Sequence, residues 1–299
     1  MQIRKTRAGV VLAVLAGGIF GTSGIFTRAI SGVTPLGIAA IRLLLAFLFM
    51  AFLLWHQKAF DELRRSTRHY PLLILLGVIS SFHFLCFVIA VQKTFIANAL
   101  ILVNTAPILV LLLAPIFLKE AITHLDLLSV AMTFLGAGAI VGFDQMMLTP
   151  DHLLGDLCAL GSALCYAFYV ILARRLRQTY SSLIILFWFF GLGGLFLLSG
   201  GLWSGDAFFF APTPSSFIFL GFLGVLPTGI GHFSYNLSLK YIPAAKASTM
   251  ILLEPVTGTV FAALFLQEIP PLSSLLGIGI ALFGIGMASV SHLRHGIVE

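Results

Sequence analysis

Two stretches decide the reading of this chain: residues 101–120, ILVNTAPILVLLLAPIFLKE, and residues 249–268, TMILLEPVTGTVFAALFLQE. Aligning Pro107 with Pro255 sets an offset of 148 positions (255 − 107), and further identities fall into register along it. Ala97 meets Ala245, Ala99 meets Ala247, Phe117-Leu118 meets Phe265-Leu266, and Glu120 meets Glu268. Farther on, Leu127-Leu128 meets Leu275-Leu276, and Gly136-x-Gly138 meets Gly284-x-Gly286. Ten identities at one offset, the prolines included, exceed what a shared apolar composition gives. The chain reads as a duplicated half, and duplicated halves in a membrane protein point toward a carrier.

Composition supplies the membrane. Charged residues are 9% of the chain, against about 25% in a soluble domain, and mean hydropathy is +1.07. Ten apolar runs are each long enough to cross a hydrocarbon core of ~30 Å as a helix. They are Ala8–Thr27, Pro35–Trp55, Pro71–Val91, Ala97–Leu118, Leu125–Phe143, Leu153–Ala173, Ser182–Leu202, Ser216–Leu239, Ala247–Leu266 and Leu272–Ser291. None alternates with period two, so helices are expected rather than barrel strands. The polar connections His56–Tyr70 and Trp203–Ser215 read as loops, with no room for a soluble domain. Met1–Arg7 and the apolar run behind it read as the first helix rather than a cleaved leader, since nine more runs follow. Cys86, Cys158 and Cys165 fall inside runs without metal or redox spacing and read as small core residues; no metal or cofactor is expected.

Charge sets orientation rather than a nucleic-acid partner. With the N-terminus in the cytoplasm, fourteen Lys and Arg lie on the inner side and only Arg28 and Lys93 on the outer side. That asymmetry predicts both termini in the cytoplasm and Asp144–His152 and Trp203–Ser215 outside. Five crossings per half is an odd number, so the second half, 153–291, must run inverted relative to the first, 8–143. The expected fold is an all-α membrane protein of ten helices in two inverted five-helix repeats, with substrate near the midplane between them.

Polar residues indicate which crossings would line that interface. Runs 2, 5, 7 and 10 are almost wholly apolar apart from Arg42, while runs 3, 4, 6, 8 and 9 carry His83, Asn98, Asn104, Tyr166, Tyr169, His232, Tyr235, Asn236 and Glu254. Run 1 adds Thr22, Ser23 and Thr27. Polar groups facing lipid cost several kcal/mol, so these should face a bundle interior or a wet cavity. Helical spacing agrees: Ser162, Tyr166 and Tyr169 form one stripe, and Thr228, His232, Tyr235 and Asn236 another.

Arg42 within AAIRLLLA (39–46), Pro107 followed by Leu118-Lys119-Glu120, and Leu253-Glu254-Pro255 followed by Leu266-Gln267-Glu268 resemble the EamA-type carriers of the drug/metabolite transporter superfamily over essentially the whole chain. The resemblance implies alternating access by a ten-helix bundle and export of amino acids or related metabolites across the plasma (bacterial inner) membrane, although some members import. The stretch Gly17–Ser23 departs from the family by carrying Phe20 where tryptophan is common.

Each candidate has a functional and a structural reading. Glu254 is the one acid deep in a run, where an ionised carboxylate costs roughly 2.5–3.5 kcal/mol. It reads as a proton or substrate-ammonium site, or as a bonding partner for a carbonyl freed by Pro255. His83 and His232 occupy corresponding runs and read as substrate or proton contacts, or as interior hydrogen-bonders. Tyr166, Tyr169, Tyr235 and Asn236 read as cavity wall or helix packing, and Asn104 as a zwitterion contact or interhelical glue. Arg42, ~10 Å into its helix, reads first as a side chain snorkelling to the outer interface. Pro107 and Pro255 should kink their helices. Gly17-x-x-x-Gly21 and Gly138-x-x-x-Gly142 permit close helix approach within one chain, or a weak homodimer. An intramembrane enzyme would need paired carboxylates or H-E-x-x-H, ATP-driven transport a phosphate loop, and a channel rings of charge; none is in the sequence. Expected partners are a small-molecule substrate, protons and the lipid bilayer.

Overall fold

The computed structural model describes residues 2–94, 96–142, 150–266 and 272–295. Every regular element among them is helical, and the one extended contact is an isolated antiparallel bridge between Val33 and Phe209. The helices are α1 (Gln2–Phe20), α2 (Thr22–Ala29), α3 (Pro35–His56), α4 (Phe60–Ser66), α5 (Tyr70–Lys93), α6 (Ile96–Val103), α7 (Ala106–Leu118) and α8 (His124–Val141). They continue as α9 (Leu153–Leu176), α10 (Ser182–Ser204), α11 (Pro214–Leu223), a π-helical segment Gly224–Gly231, α12 (His232–Ser238), α13 (Ala244–Ile251), α14 (Leu253–Leu266) and α15 (Leu272–His295). Nine helical segments among the described residues are long and apolar enough to cross a bilayer. Their outward faces carry large apolar side chains such as Leu48, Ile116 and Phe283, 59%, 71% and 61% exposed, which suits lipid and not water.

Local chemistry sets the helix ends. The Thr34 hydroxyl accepts from the Gly37 N–H at 3.0 Å in front of Pro35, whose missing donor costs nothing in a first turn. Thr123 and Asp126 form a reciprocal capping box on α8, and Gly205 closes α10 at φ 74°. The expected loop 56–70 instead holds α4, with Asp61 and Glu62 in its first turn and Arg64 and Arg65 in its last, the arrangement a helix dipole favours.

At each proline the helix is interrupted for one or two residues, 104–105 and 252, while Ala99–Leu118 still runs as one apolar span. Proline lacks an N–H, and its ring crowds the carbonyl four residues back. That residue is Val103 for Pro107, where α6 ends, and Ile251 for Pro255, where α13 ends. Each proline then sits in the first turn of the next helix, where its missing N–H is harmless. The two breaks fall at the same 148-residue offset as the sequence identities (251 − 103). A third proline, Pro227, lies in the π segment, where the Thr228 hydroxyl donates back to the Leu223 carbonyl at 2.6 Å.

Glycines let the helices touch. A Cβ on Gly136 would stand 2.4 Å from the Ala281 nitrogen, and one on Gly284 2.3 Å from Thr133 Oγ1, so α8 and α15 meet backbone to backbone. A Cβ on Gly17 would stand 2.4 Å from the Met250 carbonyl oxygen and one on Gly21 2.1 Å from Thr257 Oγ1, which seats α1 against the α13–α14 break within one chain. Gly142 instead terminates α8 at φ 95°. Phe143 at the end of the fifth run, residues 144–149 of the Asp144–His152 connection, and Glu268, the sequence counterpart of Glu120, lie outside the described residues.

Candidate functional site

A cavity opens where the two interrupted helices face each other. Its wall takes Phe20 from α1, Ser23 from α2, Arg42 from α3, His83, Phe84 and Phe87 from α5, and Val103, Asn104, Ala106 and Pro107 around the first break. Tyr166 from α9, His232 from α12, and Ile251 and Glu254 around the second break complete it. Helices α8, α10 and α15 contribute nothing to this wall, although Phe189 and Phe190 of α10 pack behind it against His232 and Phe84. Of the residues picked from sequence, His83, Asn104, Tyr166, His232, Glu254 and Pro107 are thus brought together.

Tyr169, Tyr235 and Asn236 are fully buried and lie one layer below. Three helices repeat the same order along their axes. On α9, Tyr166 is at the cavity, Tyr169 beneath it and Arg174 at the helix end; on α12 the order is His232, Tyr235-Asn236 and then Leu239; on α13 it is Ile251, Ser248 and Ala244. The middle layer is a packed polar floor, in which the Tyr235 hydroxyl and Ser248 Oγ are 3.0 Å apart and Asn236 Nδ2 donates to the Tyr169 hydroxyl at 3.3 Å. Below it, Glu120 at the end of α7 closes the bundle. One carboxylate oxygen accepts from Arg174 Nε at 2.8 Å and the other from the Ala244 N–H at 2.9 Å, while Arg174 also donates to the Leu239 carbonyl. Lys246 and Asp126 form a second ion pair nearby at 3.5 Å.

The imidazoles stand in an aromatic shell. His83 Nδ1 is 3.0 Å from both the carbonyl oxygen and Oγ of Ser162, and that hydroxyl also donates to the His83 carbonyl at 3.1 Å. The His83 and His232 rings are 6.4 Å apart, and Phe20 tilts against His232 at 4.9 Å. His232 Nδ1 and the Tyr166 hydroxyl make no hydrogen bond with the described residues. The Asn104 amide turns back to cap the broken helix, donating to the Leu100 carbonyl at 2.8 Å. Pro255 is buried beside the wall without lining it.

Arg42 overturns the expectation from sequence. It does not reach for the interface: it is 3% exposed and points into the bundle, with its guanidinium 4.6 Å above the Phe84 ring and 5.7 Å from Phe87. Its Nε donates to Thr228 Oγ1 at 3.1 Å. A signal for this lay in the sequence. Ala39 and Ala46, three residues before and four after Arg42, share its face, and small residues mark a face turned to protein rather than lipid. Among the described residues, no group of three His, Cys, Asp or Glu side chains could hold a metal ion.

The comparisons agree with this architecture. Residues 7–142 and 153–290 each match the EamA-like transporter family. The chain belongs to that family. A protein of Archaeoglobus fulgidus described as an uncharacterized transporter is 27% identical over 95% of this chain and 97% of its own. The uncharacterized transporter YxxF of Bacillus subtilis is 25% identical over 96% of this chain and 91% of its own. A solved crystal structure superposes with a TM-score of 0.82 over 96% of this chain and 98% of that one, at 15% identity, which speaks for the fold alone. This EamA-type protein is therefore a multi-pass integral membrane transporter with a small-molecule substrate.

Proposed function

We propose that this transporter is a secondary carrier or facilitator that moves small organic metabolites, amino acids or related compounds, outward across the plasma membrane by alternating access. In this reading α13 and α14 act in series as a tenth crossing. Residues 8–143 and 153–291 form two inverted five-helix units, and both termini are cytoplasmic. The carrying observation is the cavity at two opposed helix breaks, walled by aromatic rings and holding one arginine and one carboxyl without an ion pair between them. Discontinuous helices at mid-membrane are where carriers of this kind hold solutes, because broken ends present unpaired backbone groups to a polar guest. The floor and the Glu120 cluster beneath it give the cavity one sealed end, as alternating access requires of each resting state. The reading takes the protein as a functional monomer.

Glu254 is the group placed to respond to protons. Glutamine keeps the size and hydrogen-bonding capacity of the neutral acid but does not titrate. In proteoliposomes loaded with a mixed radiolabelled amino-acid pool, the wild type should exchange solute, and a pH gradient should accelerate net flux. Glu254→Gln should keep exchange and lose the acceleration. Absence of exchange by folded wild type overturns the reading of the cavity as a metabolite path; full gradient response in Glu254→Gln moves proton coupling away from this carboxyl.

A further inference from the structure

The guanidinium of Arg42 is fixed more tightly than a charge-balancing or packing role requires. Phe84 lies under its plane, Nε is held by Thr228, and Nη2 reaches Ser23 Oγ at 3.5 Å. Thr228 is turned toward it by the π segment: its hydroxyl proton is committed to the Leu223 carbonyl, which leaves an oxygen lone pair for Nε. Gly224 brings that segment close, since a Cβ there would meet Leu45 Cβ at 2.6 Å. π-helical turns of this kind are enriched at functional sites. The remaining nitrogen, Nη1, is buried and has no hydrogen-bond partner. The other charge of the cavity, Glu254, lies beyond 4.0 Å and forms no ion pair with it. A buried guanidinium with an unfilled donor is costly unless a ligand fills it.

We propose that Arg42 is the anion-recognition residue of this cavity and receives the carboxylate of an organic solute at the Nη1 edge of a pre-set planar fork. A planar guanidinium matches the two oxygens of a carboxylate, which a lysine ammonium meets only as a point charge. A single guanidinium facing a carboxyl across the cavity suits a monoanion rather than a phosphate. The aromatic walls, Phe84 and Phe87 among them, would cover the apolar remainder of the solute. The inference rests on the cavity being the solute path, but it is tested by binding and not by flux.

The probes are 4-methylpentanoate and its neutral isostere 4-methylpentanamide, titrated calorimetrically against purified protein in detergent. Wild type should bind the carboxylate at least tenfold more tightly than the amide. Arg42→Lys, which keeps the charge and loses the fork, should weaken carboxylate binding at least tenfold and leave the amide unchanged. Equal affinity for acid and amide, no binding of the acid, or an unaltered Arg42→Lys each overturns the proposal. If Arg42→Lys does not fold, the acid-to-amide ratio of wild type decides alone. Binding without exchange in liposomes would spare this site and sink the transport reading; exchange of other solutes without carboxylate binding would do the reverse.

Discussion

Glu120 offers the sharpest test of how the cavity is sealed. Its carboxylate joins the end of α7 to Arg174 on α9 and to the first N–H of α13, so it ties the first half of the chain to two elements of the second. The side chains of Arg174 and Glu120 are 24% and 16% exposed, which places the pair between a surface bridge and a buried one. Exposed pairs contribute about 0.2–1 kcal/mol, and hydrogen bonds to charged groups about 1.5–3 kcal/mol. Glu120→Gln keeps a neutral acceptor for the Ala244 N–H but loses the ion pair and the charge at the helix N-terminus, itself worth about 0.3–1 kcal/mol. The sum is roughly 2 kcal/mol against the sealed conformation, or about a thirtyfold shift toward any state in which this end is open.

Cysteine labelling reads that shift directly. In a background lacking Cys86, Cys158 and Cys165, Ala247→Cys places a thiol at a fully buried position just inside the latch, and Val88→Cys places one at a fully buried position on α5. Glu120→Gln should raise the maleimide reaction rate at 247 by about thirtyfold and leave position 88 unchanged. Equal rates at 247 in both backgrounds would show that the Glu120 contacts do not gate this end. A matched rise at both positions would mean general loosening, and the gating argument would fail.

Two further outcomes separate packing from cavity wall. Gly136→Val drives a side chain into the Ala281 backbone and should lower thermal stability by about 1–3 kcal/mol, whereas Gly286→Ala, inside α15 with nothing within 4 Å of its Cβ, should keep or slightly raise the melting temperature. Tyr166→Phe removes an unpartnered hydroxyl at the cavity and should alter solute exchange several-fold at unchanged stability. Tyr235→Phe removes the bond to Ser248 and should instead cost about 0.5–1.5 kcal/mol of stability with exchange retained; the opposite pairing of effects would move the cavity floor.

The membrane class and the family were legible in the sequence because both are written in one dimension: run length, charge asymmetry and motifs spaced along the chain. The helix breaks were half legible. Pro107 and Pro255 marked the places, but whether a proline bends or ends a helix depends on whether the chain behind it stays helical, and here α6 and α13 stop four residues short of the ring. The polar stripes misled for a similar reason. Tyr166 and Tyr169 share a face, yet three residues are ~4.5 Å of helix, about the thickness of one side-chain layer, so one stripe supplies both wall and floor. Arg42 was the hardest to place, since depth in a helix gives the same number for a side chain reaching water and for one reaching the bundle axis. What separates the two is the company it keeps: Gly224 and Gly229 seat the π turn against Leu45 and Phe49 of the same helix, and that turn holds Thr228 against the guanidinium. A charge so placed has its surroundings built before any solute arrives, and Arg42 and Glu254, drawn from different halves of the chain, meet only at the cavity between the two breaks.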